Sequence, residues 1–98
     1  MAWYRVVLQC RGVPSDVGEQ GAKDITANFA TRSWHRNAAC SWDGESLTLS
    51  VENDFDRQGR ATMDEFSDEI SACIPGSFDS DLRVVSVTEI DCGDSALN

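Results

Sequence analysis

Ala38-Ala39-Cys40-Ser41-Trp42-Asp43-Gly44-Glu45-Ser46-Leu47-Thr48-Leu49-Ser50-Val51-Glu52 is the stretch on which the fold turns. Ala38, Cys40 and Trp42 alternate with Ala39 and Ser41, and Leu47, Leu49 and Val51 alternate with Thr48, Ser50 and Glu52. Two is the period of a pleated strand, whose successive side chains point to opposite faces. Asp43-Gly44 lies between the two segments, and an Asp-Gly pair suits a tight hairpin turn whose central residues need positive φ. The stretch therefore predicts two antiparallel strands with one apolar and one polar face.

Working outward, residues 3–10 repeat the alternation, with Tyr4, Val6, Leu8 and Cys10 against Trp3, Arg5, Val7 and Gln9. Gly12-Val13-Pro14 ends that strand, and Ser15 or Asp16, with Glu19 at capping-box spacing, marks a helix start. Val17, Gly21, Ala22, Ile25 and Phe29 recur at helical steps, and their small members permit close packing on a sheet. Asn37 is expected to leave this helix in a left-handed turn, with Trp34-His35-Arg36 exposed at its end. A second helix begins near Thr62, where Thr62-x-x-Glu65 has capping-box spacing. Met63, Phe66, Ile70, Cys73 and Ile74 form its apolar stripe, and Pro75-Gly76 stops it. Residues 82–90 read as a fourth strand, with Leu82, Val84 and Ile90 on one face and Val85 and Val87 on the other.

The succession strand-helix-strand-strand-helix-strand resembles the ferredoxin-like βαββαβ sandwich, an α+β fold with two helices on one face of a four-stranded antiparallel sheet ordered 4-1-3-2. Right-handed crossovers favour that winding, and it centres the first and third strands, which have the cleanest apolar faces. Residues 1–91 are expected to form one domain and residues 92–98 a flexible tail.

The chain has 98 residues and a net charge of −9. Residues 1–42 carry five basic and three acidic groups, and residues 43–98 three basic and fourteen acidic. This balance disfavours nucleic acid and anionic membranes as partners. No long apolar segment suggests a membrane span, and a cytoplasmic setting is expected. Cys10, Cys40, Cys73 and Cys92 show no paired metal-ligand spacing, and His35 is the only histidine, so a zinc site is not expected.

Asp54 to Glu65 resembles the twelve-residue calcium loop of EF-hands: Asp54, Asp56, Gln58, the Arg60 carbonyl and Glu65 stand at ligand positions, and Gly59 at the sharp turn. Calcium is the only cofactor the pattern suggests, and a weak site is expected if it binds. Arg11 and Gly12, just before the first helix, form a possible anion loop. Trp3, Val7, Val85 and Val87 would share the sheet face left bare by the helices, a patch suited to homodimerisation. No nucleophile and base, metal cluster or phosphate loop stands out. The reading is thus a non-catalytic interaction or regulatory module, with itself or another protein as partner. The alternatives are an acidic immunity- or decoy-type protein that binds a basic partner, and a weak calcium- or anion-binding domain.

Overall fold

The computed structural model describes residues 2–74 and 81–90. Pro75-Gly76, Cys92 and the expected tail lie outside the described residues. The elements run β1 (Trp3–Arg11), α1 (Ser15–Ala30), β2 (Arg36–Trp42), β3 (Ser46–Asn53), α2 (Arg60–Cys73) and β4 (Asp81–Ile90). They form an α+β fold with one four-stranded antiparallel sheet, ordered β2-β3-β1-β4, so β1 and β3 are central and β2 and β4 are edges. Counted from the β4 edge this is the succession 4-1-3-2.

The register explains the core. Val6 faces Val51, Leu8 faces Leu49 and Cys10 faces Leu47, which stacks the apolar faces of β1 and β3 in one row. Ile25 and Phe29 of α1 and Phe66 and Ile70 of α2 close on that row, and all are buried in one continuous cluster. Fully burying a side chain of this size contributes about 1.5–3 kcal/mol. Two glycines bring α1 close. A Cβ on Gly18 would strike the Trp42 indole, and one on Gly21 would strike the Ile74 side chain.

Several local details depart from the sequence reading. The hairpin turn has positive φ at Gly44 alone (+100°), and Asp43 closes it by accepting the Glu45 and Ser46 amides at 2.9 and 2.7 Å. These amides hold the exposed Asp43 carboxyl below its usual range. Neither expected capping box forms. The residue before α1 is Pro14, with no side-chain cap, and Thr62 is buried within α2 instead of starting it. The α2 amides of Ala61 and Thr62 are instead accepted by Asp56, at 3.2 and 2.7 Å. Helix α1 stops at Ala30, so His35 is buried between elements, and Asn37 takes its left-handed φ of 54° inside β2.

The main correction concerns β4. Val7 faces Ser86 and Leu8 faces Val84, leaving Val85 as an extra residue at a β-bulge. The bulge resets the alternation. Val87 therefore faces Val6 on the helix side, where Val6, Val84 and Val87 all border Gly59. Ile90 faces Trp3 on the open side, opposite to its expected place with Leu82 and Val84.

Candidate functional site

The helices leave one sheet face open. Trp3, Arg5, Val7, Gln9 and Arg11 of β1 stand there, opposite Glu52, Ser50, Thr48 and Ser46 of β3. Arg36, Ala39 and Ser41 extend the face over β2, and Asp81, Arg83, Ser86, Thr88 and Ile90 extend it over β4.

Its most structured feature is Glu52, which is 6% exposed although it points away from the core. Strand pairing sets Arg5 and Arg36 on either side of it. Arg5 donates to Oε2 at 3.0 Å, while Arg36 and Asn37 donate to Oε1 at 3.1 and 3.0 Å. The left-handed turn at Asn37 brings that third donor in. Burial pushes the Glu52 carboxyl up, but the bonds from Arg5, Asn37 and Arg36 outweigh it and hold the group below its usual range. The Arg36 guanidinium also lies over the Trp3 ring, 4.0 Å from its centroid. The result is a cluster of one indole and two guanidiniums around a hydrogen-bonded carboxylate.

A second polar network lies at the other side of the sheet. The Asn53 carboxamide oxygen accepts the Phe55 and Asp56 amides, so its nitrogen faces Thr62 Oγ1 at 3.3 Å and His35 Nδ1 at 3.4 Å. His35 Nδ1 is then the acceptor, and Nε2–H donates to Glu65 at 3.1 Å. Glu65 and Glu69 also hold Arg32, at 3.0 and 2.7 Å. Every group here joins the segment between α1 and β2 to β3 and α2, which is a structural role.

The expected site residues fall as follows. Asp56 and Glu65 of the calcium-like loop are engaged with the α2 amides and with Trp34, His35 and Arg32, while Asp54, Gln58 and Arg60 are exposed. Among the described residues no three His, Cys, Asp or Glu side chains converge as a metal group would require. Arg11 and Gly12 line an open cleft of about 300 Å³ with Val13, Gly44, Glu45 and Ser46, so Glu45 shares the site offered to an anion. Trp3 and Val7 stand on the open face and Val85 at the bulge, but Val87 has turned to the helices, which splits the expected apolar patch. Cys10, Cys40 and Cys73 are free. Burial, then Asp81, pushes the Cys10 thiol up to about 11, and burial, then the neighbouring Cys10 and Cys73, pushes Cys40 up to about 12, so both stay protonated and unreactive at neutral pH.

Sequence reasoning missed Glu52, Arg36 and Asn37. The signal was present: alternation puts Arg5 and Glu52 on the polar faces of adjacent strands, and only the register was needed to join them. Compared with protein-family models, with characterised proteins and with solved structures, the chain matches none. Among the described residues no helix is long and apolar enough to cross a membrane.

Proposed function

We propose that this chain is a non-catalytic interaction module of ferredoxin-like build that takes an acidic segment of a partner protein across its open sheet face. The observation that carries the reading is the buried Glu52 on the solvent side of the sheet. A carboxylate sequestered there adds nothing to the core, yet it fixes Arg5, Arg36 and, through Arg36, Trp3 in one cluster. Pre-ordered arginine and aromatic side chains lose little entropy on binding and dominate the energetics of protein interfaces.

Charge supports the same face. Arg5, Arg11, Arg36 and Arg83, half of the chain's eight basic residues, stand on it with two acids, Glu52 and Asp81. Elsewhere the described residues carry twelve acids and four bases. The two helices cover the opposite side of the sheet, and screening at physiological salt acts over about 8 Å. A ligand on the sheet therefore meets the arginines before the net charge. The same surplus of arginine opposes stacking two open faces on each other.

The test is an amide and indole NMR titration with a Glu/Asp-rich decapeptide, with a Lys-rich decapeptide as control. The acidic peptide is expected to shift Trp3, Arg5, Val7, Ser50 and Thr48, and Arg5→Glu to abolish the shifts. Silence at those positions in millimolar acidic peptide would overturn the reading. Shifts at Asp64 and Asp68 with the Lys-rich peptide would transfer the contact surface to the acidic helical side, as an immunity- or decoy-type protein requires.

A further inference from the structure

The two edges of the sheet are unequal. β4 is the longest strand, ten residues against seven in β2, and among the described residues it pairs on one side alone, with β1. Val84 and Val85, 37% and 52% exposed, sit at its middle. Folded proteins keep edge strands short or covered because bare N–H and C=O groups recruit another strand. A long edge with two exposed valines calls for an occupant.

The bulge says which one. From Asp81 to Ile90, positions 82, 84, 87 and 89 face the helices and 81, 83, 86, 88 and 90 face the open side, with Val85 the extra residue beside Ser86. With Val85 counted beside Ser86 on the open side, this sequence of faces reads the same in both directions about the Val85–Ser86 peptide. Running the strand antiparallel to a copy of itself about that point sets Leu82 opposite the partner's Glu89, Arg83 opposite the partner's Thr88 and Val84 opposite the partner's Val87. Each pair lies on one face of the joined sheet. Backbone direction alternates in step with face, so a residue whose N–H and C=O point outward meets another such residue on the partner, each N–H donating to the other's C=O as a ladder requires. A strand without this phase would need a compensating bulge of its own pairing, as β1 shows.

We infer that β4 pairs with the β4 of a second copy of this chain, antiparallel about a two-fold axis normal to the sheet that runs between the two strands, level with the Val85–Ser86 peptide, joining two sheets into one of eight strands. This is a self-complementary contact of the commonest symmetry among soluble oligomers. It leaves the open faces free and lays them side by side. It does not depend on the acidic-partner reading, and its test contains no peptide.

Sedimentation equilibrium from micromolar to millimolar protein, without added ligand, reads the dimer directly. The wild type is expected to show a reversible monomer–dimer equilibrium in that range. Thr88→Arg puts like charges opposite the partner's Arg83 at both symmetric sites and is expected to weaken the dimer about tenfold. Adding Arg83→Glu to Thr88→Arg restores opposite charges at the same sites and is expected to recover the wild-type constant or better, which also shows that Thr88→Arg does not act by unfolding. A monomer at all concentrations would overturn the inference. So would a dimer indifferent to Thr88→Arg, or one that the second substitution fails to rescue.

Discussion

Two buried polar networks sit on opposite sides of one sheet, and they differ in what holds them shut. Around Asn53 the partners are backbone amides, Thr62 and His35, all walled in by Phe29 and the helices. Around Glu52 the cover is made of Arg5 and Arg36 side chains that are themselves 50% and 39% exposed. The first network is sealed by the fold, and the second is sealed by its own members and can open without unfolding anything. A sealed network specifies structure, whereas a self-covered one at the surface is available for recognition.

The sharpest way to break this contrast is Asn53→Ala. It strips partners from two loop amides, Thr62 and His35 around a fully buried side chain, and is expected to cost about 3 kcal/mol, since each unsatisfied buried group costs about 1–3 kcal/mol. Urea unfolding measures it, as a fall in the midpoint at constant slope. Glu52→Gln removes a charge whose two ionic partners remain half in water, so the loss is expected to be about 1 kcal/mol at most. A larger loss for Glu52→Gln than for Asn53→Ala would erase the distinction between the two networks.

The smallest effect is one of pH. Glu52 and Glu69 both have folded-state carboxyls below the ordinary value of 4.5: burial pushes each up, and bonds from Arg5, Asn37 and Arg36 in one case, and Arg32 and Asn28 in the other, outweigh it. A lowered folded-state value means that the unfolded chain binds protons first as pH falls. The stabilisation is therefore complete above about pH 5 and is lost as pH drops below 4.5 toward the folded-state values. Unfolding midpoints measured from pH 6 to pH 3 should fall less steeply in Glu52→Gln than in the wild type. Equal slopes would mean that Glu52 carries no such linkage.

Much of this architecture was legible in the residues. Tyr4 to Cys10 and Leu47 to Val51 alternate strictly, and Ile25, Phe29, Phe66 and Ile70 keep helical spacing, so elements and core could be assigned from local periodicity alone. What escaped depends on partners distant in sequence. The β4 bulge exists only in its register with β1, and no feature of Leu82 to Ile90 alone announces it. Asp56 caps a helix that starts four residues later, through a loop whose shape is set by Asn53. His35 looked like an exposed helix end because nothing nearby reveals that β2 begins at Arg36 and draws it under Phe55. Of the candidate site, Trp3 and Val7 were placed correctly by alternation, whereas the ring of donors around Glu52 needed three strands aligned.

The glycines at 18 and 21 have one more consequence. Each lowers the intrinsic helicity of its segment by about 1 kcal/mol relative to alanine, and no side chain caps the start of α1. A sixteen-residue segment so composed sits near the limit of what holds as a helix in water. Excised from the chain it would be coil, so its helicity is borrowed from the Trp42 and Ile74 surfaces it fits against. The sheet acts as a template, and the first helix is the part cast upon it.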